Sequence, residues 1–196
     1  MKLFHPAALA GAGLSAVSFP GGAIPVRAAR ARDHAALAAL AAASFAQGAA
    51  ALLPAGLRPQ AHAERFAELF AAGGPLMVAG PKSQPLGCIL AEPLQPGAAI
   101  ARLTGLWVAP AAMGQGAGSA LLAAMEATLA ASCVATLRVL VPSGHLRALG
   151  LFRRRGYGLQ AAGHRAEPVL GVTLPHSVLA KVLPPVAHCA LDHDAA

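Results

Sequence analysis

Apolar positions along this chain follow a helical period in some segments and form short extended runs in others, with glycine and proline between them. Asp33 is of a residue type that caps helices, and it precedes a helical segment that carries Leu37 and Leu40. The pattern predicts helices near residues 33–45, 61–72, 119–131 and 145–155, and strands near 25–30, 76–80, 86–92, 101–108, 136–141, 157–163 and 171–182. Turns separate the middle strands and a helix separates two later ones, which predicts a mixed sheet with helices on both faces.

One glycine-rich segment has the arrangement of an anion-binding loop. The strand that ends at Val108 stops before Pro110, which lacks the donor that a sheet ladder needs. Gly114, Gly116 and Gly118 then alternate, and without side chains they leave the backbone N–H groups open to a ligand. The helix that follows begins with unpaired N–H groups and with the positive end of its dipole. This arrangement suits a phosphate group.

Spacing separates two classes of phosphate-binding loop from this one. A P-loop needs Gly-Lys-Ser/Thr at the start of its helix, and no lysine lies between Lys82 and Lys181. A dinucleotide-binding fold needs Gly-x-Gly-x-x-Gly and an acidic residue about 20 positions later. Here the third glycine comes one residue early, and the predicted strand at 136–141 has no acid at its end. Neither class therefore fits well.

Two signatures of a third class are present, and on them the sequence resembles the GNAT superfamily of acyl-CoA-dependent N-acyltransferases. Val-x-Pro followed by Arg/Gln-x-x-Gly-x-Gly/Ala, typical of that superfamily, aligns with residues 108–110 and 113–118. The second signature, Asn-x-x-Ala-x-x-Leu-Tyr-x-x-x-Gly-Phe, aligns with residues 145–157. The resemblance covers residues 24–183 and implies an α+β fold, with a mixed, mostly antiparallel sheet of about 6–7 strands and helices on both faces.

The resemblance also implies an activity and a set of binding residues. The activity is transfer of an acetyl group from acetyl-CoA, the cosubstrate, to a primary amine of a small molecule or a peptide N-terminus, by direct attack in a ternary complex. The end of one strand would bind the pantetheine arm and the thioester, the loop would hold the pyrophosphate, and two residues of the second signature would lie beside the arm. These residues are Leu106, Trp107, Val108, Met113, Gly114, Gln115, Gly116, Ala117, Gly118, Ser119, His145 and Phe152.

Several positions depart from the family pattern. Phe152 stands where relatives often place a tyrosine that protonates the thiolate, and Leu140 where ribosomal-protein N-terminal acetyltransferases carry a glutamate base. Met113 replaces the usual Arg or Gln, which weakens a charge contact without removing the amide cradle. The catalytic candidates are therefore His145, which replaces the usual asparagine, as a base, and Glu92, after the third strand, to orient the amine. A helix-capping His145 and a surface Glu92 are the alternative interpretations. The alternative function is a catalytically degenerate acyl-CoA-binding module or sensor.

Composition favours one globular domain and no nucleic-acid or membrane partner. The chain has 196 residues and a net charge of +7, but 12 of its 15 basic residues are arginines scattered along it, and aromatic residues are not interleaved with them. The run at 153–155 suits the end of a helix, and a nucleic-acid surface there is the alternative. The apolar fraction is largely alanine, and the charge-free stretches at 6–26 and 34–57 contain Gly, Pro or Gln. We predict no transmembrane helix.

The two ends of the chain are predicted to lie outside the domain at 24–183. Residues 1–23 would form a flexible extension, with a short secretory signal or a misassigned start as alternatives. Residues 184–196 would form a flexible tail, whose His188, Cys189, Asp192, His193 and Asp194 lack a zinc spacing, so no metal site is predicted. Three widely spaced cysteines argue against disulfides and for a reducing, cytoplasmic location. The sequence leaves the oligomeric state, including a homodimer, open.

Overall fold

A mixed sheet of seven strands with four helices makes up the part of the chain that the computed structural model describes, residues 23–186 and Cys189. The strands are β1 (Val26–Ala28), β2 (Leu76–Ala79), β3 (Gly87–Ala91), β4 (Ile100–Val108), β5 (Thr136–Pro142), β6 (Gly158–Ala166) and β7 (Thr173–Val182). The helices are α1 (His34–Gln47), α2 (Ala63–Ala71), α3 (Ala117–Ala131) and α4 (Leu146–Arg154). Each predicted helix and strand is present, and the predicted mixed, mostly antiparallel sheet is confirmed.

The central strands β4 and β5 run parallel and then diverge. The strand order is β1-β2-β3-β4-β5-β7-β6, and every other neighbouring pair is antiparallel. β4 pairs with β5 only from Ile100 to Leu103, opposite Thr136 to Val139. The second half of β4 therefore separates from β5. An opening forms between these two strands beyond Leu103 and Val139.

A bulge in β4 changes which face its side chains occupy. Gly105 lies opposite Leu90 and Leu103 lies opposite Ala91, so Thr104 is the additional residue on β4. Leu103 consequently packs in the core that contains α3 and α4, whereas Trp107 packs in the core that contains α1 and α2. The bulge lies directly beyond the point where β4 and β5 separate, so it turns the end of β4 at the opening.

Two of the three cysteines are joined, which corrects the prediction from their spacing. Cys133, just after α3, forms a disulfide with Cys189, 56 positions later. The two meet because β5 and β7 are neighbours: the Leu183 N–H donates to the Ala135 carbonyl at 2.8 Å, and Val186 packs against the α3–α4 core. The described part of the predicted flexible tail is therefore attached to the domain.

Thiol counting tests this pairing. Cys88 is buried, and burial raises the pKa of its thiol to about 12. Because the thiolate is the reactive form, we expect no thiol of the folded protein to react with a disulfide reagent at pH 8. Denaturation alone should expose one thiol, and denaturation after reduction should expose all three cysteines. Three thiols without reduction would contradict the disulfide.

Some predictions fall outside the described residues. These include nearly all of the predicted extension at 1–23, and His188, Asp192, His193 and Asp194 of the tail. Across residues 23–186 and Cys189, no helix has the length and apolar character needed to cross a membrane. In that same part of the chain, no group of three or more His, Cys, Asp or Glu residues is placed to hold a metal ion.

Candidate functional site

The loop between β4 and α3 has a backbone that only glycine adopts without strain. Gly114 and Gly116 have φ angles of 81° and 92°, in the left-handed region. A Cβ atom at Gly114 would meet nothing within 4 Å, and one at Gly116 would meet only the Ile24 side chain at 3.9 Å. With respect to residues 23–186, the space above the loop is therefore open, and glycine keeps it open.

The first amides of α3 have no partner within the described residues. Gly116 caps this helix of 15 residues, and no acceptor lies on the N–H groups of Ala117, Gly118 or Ser119. Such N–H groups, with the positive end of the helix dipole, form an anion site when the backbone above them is bare. The loop fits the pyrophosphate that the sequence predicts there.

The same loop contacts the end of β4 and helix α4. A Cβ atom at Gly118 would lie 3.3 Å from Leu151 of α4, and 3.5 Å from Leu106 and from Val108 of β4. The start of α3 therefore lies against the half of β4 that has left β5. A ligand with its phosphates on the loop can extend along this strand end into the opening.

Ser44 of α1 is a residue of this site that the sequence did not reveal. Its hydroxyl oxygen accepts a hydrogen bond from the Val108 N–H at 3.2 Å, across 64 positions. Ser44 is buried and lies in an alanine-rich helix, where no motif distinguishes it from its neighbours. It links α1 to the strand end predicted to bind the pantetheine arm.

Arg147 of α4 is a second residue of this site that the sequence did not reveal. Its Nη1 lies 2.9 Å from the sulfur of Met113 in the loop, so α4 brings a cation to the position where the family's usual Arg or Gln is replaced. Its exposed guanidinium can supply a positive charge beside a bound phosphate.

His145 caps α4. Its Nδ1 accepts a hydrogen bond from the Ala148 N–H at 3.2 Å, and its Nε2 faces the end of α1, 2.7 Å from where a Cβ of Gly48 would lie. Since Nδ1 accepts, the neutral ring carries its proton on Nε2. The ring is then a donor at Nε2, which suits a hydrogen bond to a ligand carbonyl better than proton abstraction.

The aromatic residues of the second signature are in the core. Phe152 is 4% exposed, and its ring meets the ring of Tyr157 edge to face with centroids 5.2 Å apart. Burial, and next the charge of Glu126, raise the pKa of Tyr157 far above its usual range, so this phenol keeps its proton. Trp107 is 6% exposed and packs edge to face on Phe66 and Phe70. A binding role at Trp107 therefore belongs to its backbone.

The prediction that Glu92 enters the cleft is wrong. Gly87 at the start of β3 pairs with Val108, so the antiparallel strand carries Glu92 to the opposite end of β4, where its N–H donates to the Arg102 carbonyl at 2.9 Å. At about 3.3 Å per residue, the six positions from Arg102 to Val108 span about 20 Å. Even Leu106, the nearest of the residues predicted to hold the pantetheine arm and the thioester, lies about 13 Å from Arg102 along the strand, so Glu92 is too distant to orient an amine there.

The diverging central strands, the bulged β4 and the unpaired amides at the start of α3 define an acyltransferase-type fold with an open glycine loop whose chemistry suits a phosphate. The chain belongs to the acetyltransferase (GNAT) family, whose sequence profile matches residues 50–157, more than half of its length. No protein of curated function matches the chain in sequence.

Solved structures of the same fold come from several organisms. A GCN5-related N-acetyltransferase from Rhodopseudomonas palustris is 23% identical, with a TM-score of 0.63 over 83% of this chain and 97% of the other. An acetyltransferase from Salmonella typhimurium, solved with acetyl-CoA, is 16% identical, with a TM-score of 0.62 over 85% and 97%. An N-acetyltransferase from Thermoplasma acidophilum, solved with coenzyme A, is 15% identical, with a TM-score of 0.63 over 82% and 99%. These likenesses establish the fold.

Proposed function

We propose that this protein transfers the acetyl group of acetyl-CoA to a primary amine by direct attack in a ternary complex. The observation that carries the proposal is the set of unpaired amides at the start of α3, which lie against the diverging end of β4. The loop would hold the pyrophosphate, and the backbone of Leu106, Trp107 and Val108 would hold the pantetheine arm and the thioester. The ligands of the solved relatives, acetyl-CoA and coenzyme A, are of the class that this cradle suits.

The transfer step needs few side chains. A neutral amine attacks the thioester carbonyl carbon, the C–N bond forms, the C–S bond breaks, and the amine proton passes to water while the thiolate takes up another. A backbone N–H of the β4 end would stabilise the oxyanion. Binding of both reactants in the opening would supply proximity. No described side chain at the opening combines the position and the free lone pair of a general base, so solvent takes the proton.

Binding and turnover test the proposal separately. Calorimetry should detect acetyl-CoA binding, and release of free thiol should follow in the presence of at least one amine from a panel of small amines and peptides. Absence of binding would refute the assignment of the cradle.

A non-catalytic acyl-CoA-binding module is the second candidate, favoured by one observation. Phe152 occupies the position of the usual acid and is buried in the core, and the neighbouring Tyr157 keeps its proton. Acetyl-CoA binding with no thiol release across the panel would favour this module over the enzyme.

Substitution of His145 distinguishes a cap from a base. The His145→Ala variant should lose about 1 kcal/mol of unfolding free energy, whereas His145→Asn should retain the cap. We expect kcat of His145→Asn to stay within about threefold of wild type, since removal of a general base costs about 100-fold or more. A loss of that size in both variants, with a changed pH profile of kcat, would instead identify His145 as the base.

A further inference from the structure

Part of one sheet face is not covered by any helix of residues 23–186. The residues that α1 and α2 bury come from β2, β3 and β4, together with the segment at 169–174. On the same face, the start of β4, the start of β5 and the end of β7 lie beyond this core. The register aligns exposed Ile100 with Thr136, and Thr136 with Val182, which is 77% exposed. The next row contains Arg102, Arg138 and Ala180.

The two arginines of that row face the solvent side by side. Arg102 and Arg138 are direct partners in the parallel register of β4 and β5, so their side chains leave the sheet on the same side. Like charges that face each other on neighbouring strands are destabilising. Arg27, Arg65 and Arg155 each pair with a carboxylate. Neither Arg102 nor Arg138 has an ion pair or a side-chain hydrogen bond with any residue of the described chain.

Both arginines line a small cavity. Its volume is about 230 Å³, and its wall includes Glu92, Gln95, Arg102 and Arg138. Glu92 is in the same row, because its N–H donates to the Arg102 carbonyl, but it forms no ion pair with a described residue. Sites for drug-sized ligands have volumes of about 300–1,000 Å³, so this cavity suits a small acidic group.

We propose that Arg102 and Arg138 bind a carboxylate of the acyl acceptor, which makes the substrates small amines that carry an acid several bonds from the amine. A carboxylate between the two guanidinium groups accepts charge-assisted hydrogen bonds from both and removes their mutual repulsion. Arg138 is the stronger contact of the two. Glu92 is the neighbour of Arg102 in this row, so its negative charge competes with a bound carboxylate at Arg102 more than at Arg138, which is one strand further away. This inference rests on the proposed acetyl transfer.

The distance to the opening sets the length of the acceptor. The pairing of β4 with β5 ends at Leu103 and Val139, one residue beyond the arginines. Leu106 follows Arg102 by four positions, about 13 Å at the rise of a strand, and the bulge at Thr104 shortens that span. An α-amino acid is too short to place its amine at the thioester and its acid on Arg138. A chain of several methylene groups fits.

A series of ligands of increasing length, each measured as the acid and as its uncharged amide, provides the test. The probes are ω-amino acids from β-alanine to ε-aminocaproate, each with its carboxamide, measured by calorimetry on the full chain with coenzyme A bound. We expect at least one carboxylate to bind about tenfold or more tightly than its amide. In Arg138→Gln the ratio of the amide's dissociation constant to the carboxylate's should fall close to one, and in Arg138→Lys this ratio should be largely kept. Arg153→Gln, at an exposed arginine of α4, is the matched control and should keep the full ratio.

Each outcome bears on the inference apart from the proposed function. Unchanged acetyl-CoA affinity in Arg138→Gln shows that the cradle is intact, so a lost acid preference is assigned to the arginine. A ratio near one across the series with the wild-type protein overturns the inference even if the amines are acetylated. A ratio that persists in Arg138→Gln also overturns it. If a second copy of the chain occupies the face, the ratio is again near one, and sedimentation detects a dimer that Arg138→Gln weakens.

Discussion

Replacement of Gly116 by valine should raise the dissociation constant for acetyl-CoA by at least about 100-fold. Gly116 ends the loop at a φ of 92°, and the one described side chain within 4 Å of a Cβ atom there is that of Ile24, at 3.9 Å. A branched side chain there would occupy the position proposed for the pyrophosphate and separate it from the amides of α3. Loss of two charge-assisted hydrogen bonds, each contributing about 1.5–3 kcal/mol, accounts for a change of this size. Calorimetry with acetyl-CoA measures it.

Gly73→Val is the control for backbone strain. Gly73 has a φ of 88°, nearly that of Gly116, and a Cβ atom there would meet nothing within 4 Å. Valine in the left-handed region costs about 1–2 kcal/mol at either position, so both variants should lose similar unfolding free energy. Only Gly116→Val should lose acetyl-CoA binding. Equal affinities in the two variants and the wild type would show that the loop does not hold the cosubstrate.

The sequence predicts the elements of this fold because their signals are local. The apolar positions of α3, the proline after β4 and the alternating glycines are each read within a few residues, and the structure has the helix, the strand end and the loop where these signals place them. The loop was predicted for the same reason. Its φ angles and bare amides follow from the glycines at 114 and 116 and from the first turn of α3.

The features that sequence reasoning missed depend on strand register and on contacts between distant segments. Ser44 meets Val108 and Cys133 meets Cys189 only after the sheet has formed. The place of Glu92 after a strand predicts a position in the cleft, but the antiparallel pairing of β3 with β4 sends that end away from Val108. A shift of one residue reverses which face a side chain occupies, so neither the bulge at Thr104 nor the facing arginines of β4 and β5 can be derived from the local pattern.

Replacement of Glu126 by leucine should destabilise the protein by about 2–4 kcal/mol. Glu126 is 8% exposed on the sheet side of α3, where its Oε2 accepts hydrogen bonds from Lys181 Nζ at 2.7 Å and Arg155 Nη2 at 3.3 Å. The Lys181 ammonium also lies 5.7 Å from the centroid of the Tyr157 ring. Removal of one partner of a buried ion pair costs about 3–5 kcal/mol, and access of the two cations to solvent reduces the effect.

A double variant separates loss of the ion pair from loss of packing at Glu126. When Glu126→Leu is combined with Lys181→Met, the ammonium at 2.7 Å is removed together with its carboxylate, and apolar replacement of a buried pair is often neutral or stabilising. The Arg155 guanidinium also loses its carboxylate, but its side chain is 33% exposed and keeps access to solvent. We therefore expect urea unfolding to show recovery of at least half of the lost free energy. Glu68→Leu, at a side chain that is 68% exposed beside Arg65, is the surface control and should change stability by less than about 0.5 kcal/mol. Equal losses in the single and double variants would show that Glu126 acts through packing and not through its charge. The amide cradle lies at the start of the same helix, α3. The double variant should bind acetyl-CoA as tightly as wild type, which would show that the substitutions leave the start of this helix intact.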